Sequence, residues 1–195
     1  MNKLFDRLNT QVVVLGSLVA ILWIVQIINA EILAGRLNYY GGIHPQSSIR
    51  ITSIFFAPFL HGSYTHLGAN IVPLITLGWL IMLRGLNDFF FVSIVTIIVS
   101  GLGIWCFGSP GSIHIGASGL IFGYFGFLLL RSIFDFSILS VLFALTAGFL
   151  YSGLIWGILP SDPNISWEAH LFGFLGGIFA AQLLGKRKTL SLIHI

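Results

Sequence analysis

Six stretches of this sequence, roughly 11–29, 65–83, 88–107, 118–133, 138–158 and 168–185, run apolar for long enough to cross a lipid bilayer, and no other feature narrows the possible folds as much. An α-helix rises 1.5 Å per residue, so about 20 apolar residues span the roughly 30 Å hydrocarbon layer. Gly, Pro, Asn, Asp or basic residues separate the stretches and mark the connections. The sequence lacks the alternating ten-residue segments of a membrane β-barrel, so the spans are expected to be helices that satisfy their own backbone hydrogen bonds. With 56% hydrophobic and 8% charged residues and a mean hydropathy of +0.99, the chain has too little polar surface to cover a water-soluble globule. The expected architecture is an all-α membrane protein of six spans, residues 1–195 forming one membrane domain with a short N-terminal tail and a basic C-terminal tail.

Orientation follows from the basic residues, because Lys and Arg in short loops stay on the cytoplasmic side. Six spans put Lys3, Arg7, Arg84, Arg131, Lys186, Arg187 and Lys188 on one side and leave Arg36 and Arg50 on the other, so both termini are expected to be cytoplasmic. The first stretch is too long for a signal-peptide core and has no cleavage site, and the absence of a transit peptide favours a bacterial-type inner (plasma) membrane. The net charge of +3 then reflects topology. No basic stripe interleaved with aromatic residues points to nucleic acid. The single cysteine, Cys106, rules out a disulfide within the chain and is expected to be a buried small hydrophobe.

Three segments break the apolar pattern with chemistry. In FLHGSYTHLGAN, His66 and Asn70 are four apart, one above the other on a helix, and point at one place. They are either interhelical hydrogen-bonding groups or parts of a site; His61, nearer the loop, is expected to order that loop. In GASGLIFGYFG, Ser118 lies between Gly116 and Gly119 where a loop becomes a helix, and glycines there allow a tight turn with N–H groups free to face an anion. In WEAHLFGFLGG, His170 shares a helix face with Gly173 and Gly177. That small face can pack closely on Gly119, Gly123 and Gly126, bringing Ser118 and His170 together. An imidazole can take the proton of a serine hydroxyl near neutral pH, and His66, Asn70 and the Ser118 N–H are candidate donors to the oxyanion formed on attack at a carbonyl. No carboxylate is placed as a third member, since Asp162 and Glu168 read as outer-loop charges, and the chemistry calls for no cofactor or metal ion. The segment 31–63, too apolar for a disordered linker, is expected to be compact and to rest in the outer leaflet with its backbone groups paired internally.

Together, His61-xxxx-His66-xxx-Asn70, Gly116-Ala117-Ser118-Gly119 and His170-xx-Gly173-xxx-Gly177 resemble the rhomboid protease family, over about residues 46–181. The resemblance implies the minimal six-helix rhomboid bundle with a long first loop. It also implies a Ser118–His170 catalytic dyad, an oxyanion hole lined by His66 and Asn70, and transmembrane protein segments as substrates, cleaved near small residues. Arg50 and Thr52 match part of the family's loop pattern, with Ile49 in place of its tryptophan. Met82 and Arg84 stand where many members carry a Glu-x-Arg pair, implying a missing ion pair, and Phe122 replaces a tyrosine whose ring would pack beneath His170. The first loop and the region 138–158 are candidate gates. Two other readings share parts of this pattern: a non-catalytic rhomboid-like protein that binds membrane clients, and a small transporter with a polar or metal-binding path through His61, His66 and His170. Scarce intramembrane acids and the lack of inverted halves argue against the transporter.

Overall fold

The computed structural model describes residues 3–47, 51–160 and 165–193, excepting the side chains of 3, 4 and 186–193; Ile49, Arg50 and Asp162 therefore lie outside the described residues. Among the described residues, six helices are long and apolar enough to cross a membrane. They are α1 (Lys3–Ile27, continued by a π turn Ile28–Ile32), α4 (Tyr64–Met82), α5 (Leu86–Phe107), α6 (Ser118–Asp135), α7 (Ile138–Tyr151, continued by a 3-10 segment Ser152–Ile158) and α8 (Trp167–Ile193). Two short helices, α2 (Arg36–Gly41) and α3 (Ser53–Phe56, followed by 3-10 turn Ala57–Phe59), lie in the connection between the first two spans. There is no named strand among the described residues, and the chain is a multi-pass, all-α membrane bundle.

The helices α1 and α8 extend beyond the apolar stretches that announce them, into LFDRLNT at one end of the chain and past Gly185 at the other. Hydropathy marks where a helix lies in lipid, whereas backbone hydrogen bonding carries it on into water. At the start of α4 the boundary is chemical: Ser63 is extended and its hydroxyl accepts the His66 N–H at 3.0 Å, a side-chain N-cap that places His66 in the first turn.

The connection 31–63 is held by asparagines. Buried Asn29 donates to Asn38 Oδ1 at 2.9 Å and accepts the Leu37 N–H at 2.9 Å, and Asn38 in turn donates to the His61 carbonyl at 3.1 Å. Ile43 and His114 exchange a pair of backbone hydrogen bonds at 3.0 Å, and the Gly116 N–H donates to the Ala57 carbonyl at 2.9 Å. The first loop is thereby tied to the segment that leads into Ser118.

Helix α6 is the centre of the bundle, with every side chain from Gly119 to Leu128 buried. Its most extensive contacts are with α8. Lipid tails provide no hydrophobic drive between helices, so association depends on close fit. Glycines supply it: a Cβ on Gly173 would overlap the Gly119 carbonyl, and one on Gly177 would overlap the Gly123 carbonyl. Along α5 the inward positions Val92, Thr96, Ser100, Gly103 and Ile104 recur at helical spacing. Cys106 falls off that face and is exposed, which corrects the expectation of a buried thiol.

At the end of α6 remote from Ser118, roughly 26 Å away by helix rise, the Asp135 carboxylate joins Arg84 Nη2 at 2.6 Å and Arg131 Nε at 3.3 Å. It also accepts the Ser140 hydroxyl at 2.8 Å and the Ser137 N–H at 3.1 Å; Arg84 donates to Ser140, and Arg131 donates to the Ala181 carbonyl. Arg84, expected to lack its ion-pair partner because Met82 replaces the family glutamate, thus pairs with an acid brought from another helix, while Met82 is buried apolar. Two tests follow from this packing. Gly177→Ala should lower stability by about 1–3 kcal/mol through overpacking, and Gly16→Ala, with nothing within 4 Å of the added methyl, should not. Asp135→Ala should cost about 3–5 kcal/mol, because it strips the buried Arg131 guanidinium of its carboxylate and leaves Arg84 only Asp88, 3.8 Å away. Unfolding in mixed micelles measures each change.

Candidate active site

Ser118 opens α6, half-buried, immediately after a loop whose conformation only glycine permits. Gly116 has φ +118°, and a Cβ there would lie 3.0 Å from His66 Cε1 and 3.2 Å from His66 Nε2. That close approach sets the α4 polar pair beside the Ser118 loop, with Asn70 Nδ2 3.9 Å from the same point. The next N–H, of Ala117, points at His61 Nε2 at 3.4 Å. The N–H of Ser118 belongs to the first helical turn, where no intrahelical acceptor exists.

Asn70 is buried, yet its Nδ2 has no hydrogen-bond partner among the described residues. Buried amide donors are nearly always paired, so an unpaired one marks either strain or a place where a ligand's acceptor belongs. Here the donor lies next to the loop that carries Ser118. His66 is half-buried beside it and meets His61 edge to face, ring centroids 5.1 Å apart.

His170 is buried in the first turn of α8. Its Nδ1 lies 2.8 Å from the Gly157 carbonyl. A carbonyl only accepts, so Nδ1 must carry the proton and Nε2 must present its lone pair, the tautomer a general base needs. The ring stacks on Phe122 at 4.0 Å between centroids and 7° between planes. Phe122 stands one turn after Ser118 on the same face of α6, and so fixes the ring next to the serine. One turn further along α8, Gly173 meets Gly119; between the two helices the Ser100 hydroxyl donates to the Ala169 carbonyl at 3.0 Å. Contacts at Gly119 and Phe122 therefore hold the turn that follows Ser118, and contacts at Ala169 and Gly173 bracket His170. Ser118 and His170 share no hydrogen bond in this structure; such bonds commonly tighten only when substrate binds.

Ser118, His170, His66 and Asn70 thus come from three separate spans to one place at the loop end of the bundle, with Gly116, Gly119, Phe122, Gly123, Gly173 and Gly177 forming the contacts that hold them there. Among the described residues, no three of His, Cys, Asp or Glu assemble as metal ligands. Two participants escaped the sequence. Gly157 orients His170 from a 3-10 segment, and a Cβ there would press on Phe122 Cζ at 2.8 Å and His170 Nδ1 at 3.3 Å. Nothing local in its apolar surroundings marks it. Glu168, expected as an outer-loop charge, is buried at 5% exposure, because the first turn of α8 packs inward; its carboxylate meets Ser166 at 3.4 Å.

The class that the fold defines is a multi-pass, all-α integral membrane protein of six spans, with a serine at one helix start and a histidine on the facing helix. Its sequence places it more narrowly: residues 49–187 match the Rhomboid domain model, and the chain belongs to the rhomboid family. A protein of Mycobacterium tuberculosis, itself uncharacterized, is 37% identical over 186 residues, covering 90% of this chain and 77% of its own. A Mycobacterium leprae protein, also uncharacterized, is 37% identical over 191 residues, covering 90% of this chain and 73% of its own. RHOMBOID-like protein 5 of Arabidopsis thaliana is 31% identical over 154 residues, 70% of this chain and 45% of that protein.

His61 lies outside the spans and generates a pH prediction. Burial, reinforced by neighbouring His66, lowers its pKa from 6.5 to about 4 against a partial offset from the Phe59 backbone. The unfolded chain therefore takes up a proton near pH 6.5 that the folded chain refuses until about pH 4. Stability should be unaffected above that window, fall through it as pH drops, and level off below it, by a contribution on the order of 3 kcal/mol. His61→Asn should flatten this part of a plot of Tm against pH.

Proposed function

We propose that the chain is an intramembrane serine endopeptidase that cleaves transmembrane segments of protein substrates through a Ser118–His170 dyad. The observation that carries this reading is the pairing of an Nδ1-protonated His170 stacked over the turn after Ser118 with an unsatisfied Asn70 donor on the other side of the Ser118 loop. In the proposed reaction His170 Nε2 takes the Ser118 hydroxyl proton as Oγ bonds to the scissile carbonyl carbon. The Ser118 N–H, Asn70 Nδ2 and His66 stabilise the oxyanion, each donor lowering the barrier by about 2.7–4 kcal/mol. The C–N bond then breaks, His170 gives its proton to the departing amine, and water attacks the acyl-enzyme by the same route in reverse order of groups. The Gly157 carbonyl does the orienting work that a carboxylate performs in a triad.

A transmembrane substrate would enter from the side. Helix α7 buries little of its surface, and its 3-10 continuation carries Gly157, so its movement would open the lipid face and reset His170 together. The basic residues at the end away from the site support cytoplasmic termini in an inner (plasma) membrane.

A fluorophosphonate probe should label the wild type and spare Ser118→Ala, and a panel of single-span substrates should be cleaved by the wild type but at least 10³-fold more slowly by His170→Ala. Equal labelling of Ser118→Ala, or no labelling of folded wild type, would replace this reading with a client-binding protein.

A further inference from the structure

His114 lies four residues before Ser118, and Ser166 four residues before His170. Their side chains meet: His114 Nδ1 is 2.6 Å from Ser166 Oγ. We propose that this bond is a strut that sets the position of His170 against Ser118, making His114 and Ser166 positioning residues for the chemistry proposed above, on which the inference rests.

Each end of the strut is anchored to the backbone that carries a reacting group. On one side, His114 is clamped to Ile43 by two backbone hydrogen bonds, and two residues further on Gly116 is held by the Ala57 carbonyl. On the other, Ser166 caps α8: its hydroxyl accepts the Ala169 N–H at 3.3 Å, and its carbonyl accepts the N–H of His170 itself at 3.3 Å. A displacement of Ser166 therefore carries the His170 backbone with it.

The protons can be assigned. Ser112 Oγ donates its only hydrogen to the Ser109 carbonyl at 2.6 Å, so the contact between Ser112 Oγ and His114 Nε2 at 2.7 Å must be donated by His114. Nε2 then carries the imidazole proton and Nδ1 is an acceptor, and the single Ser166 hydroxyl hydrogen goes to Nδ1 at 2.6 Å rather than to the Glu168 carboxylate at 3.4 Å. Burial lowers the His114 pKa, partly offset by the Glu168 carboxylate, in keeping with the neutral ring this requires. Ser112, His114, Ser166 and the Ala169 N–H thus form one directed chain from the Ser118 loop to the His170 helix.

Ser166, His114 and Glu168 are the residue types of a hydrolase triad, but they are joined in the wrong order. The carboxylate meets the serine at 3.4 Å, and both ring nitrogens of His114 are taken by serine hydroxyls. No nitrogen remains to be oriented by the acid, so the cluster holds position and does not attack.

Ser166→Ala removes the donor and the α8 cap oxygen together, Ser166→Thr keeps both, and His114→Phe removes the acceptor. Two measurements on the full-length chain in micelles test the strut. The first is substrate cleavage: Ser166→Ala and His114→Phe should each lower kcat about 10- to 100-fold with KM little changed. The double variant should lose no more than either alone, and Ser166→Thr should recover most of the rate. The second is nitrogen-15 NMR of the histidine rings, which reads the His170 Nδ1–H bond to Gly157 whether or not the protein cleaves anything. That resonance should shift in Ser166→Ala and hold in Ser166→Thr. A wild type that neither labels nor cleaves, with the resonance still responding, retains the strut and overturns the protease reading. An unchanged resonance in folded Ser166→Ala, or additive losses in the double variant, overturns the strut.

Discussion

The structure depends on backbone meeting backbone between α6 and α8. Within lipid, apolar side chains gain nothing by facing one another in preference to acyl chains, so two helices stay together only where their surfaces fit without gaps. Gly173 against the Gly119 carbonyl and Gly177 against the Gly123 carbonyl provide that fit. Since Ser118 precedes the first of these contacts and His170 precedes its partner, the interaction that holds the bundle also fixes the separation of these two residues.

The two ends of the bundle are built differently. Remote from Ser118, charge is concentrated and compensated: Asp135 gathers Arg84 from the α4–α5 turn, Arg131 from α6 and Ser140 from α7, anchoring the start of α7. At the loop end there are no ion pairs among the described residues near Ser118: imidazoles, amides and hydroxyls predominate, with the Glu168 carboxylate against Ser166 and one amide donor left open. Helix α7 joins the two regimes, pinned at Ser140 and reaching the site only through its 3-10 continuation.

Much of this was legible in the sequence because it depends on local pattern. The six spans follow from runs of apolar residues, and their limits were misjudged only where helices run on into water. The four-residue spacing of His66 and Asn70 and the shared face of His170, Gly173 and Gly177 are properties of a single helix and needed no partner to be seen. Cys106 shows where this fails: an apolar neighbourhood in sequence is the same whether a residue faces lipid or core, and only the helix's rotation against its neighbours decides. Glu168 and Arg84 show the converse: a charge taken for a loop residue turns inward with the first turn of α8, and a connection arginine finds its partner, Asp135, on α6.

By itself the sequence determined that the chain lives in a membrane, how many times it crosses, and which residues of each span carry polar chemistry, since length, hydropathy and helical phase are set within each segment. Only the tertiary structure decided that Gly157 orients His170, that Asn70 is left with an open donor beside the Gly116 turn, and that His114 and Ser166 bridge two loops. Each of those is a contact between residues far apart in the chain, and its energy comes from burial and directed hydrogen bonds that exist only once α4, α6, α7 and α8 have closed around one another.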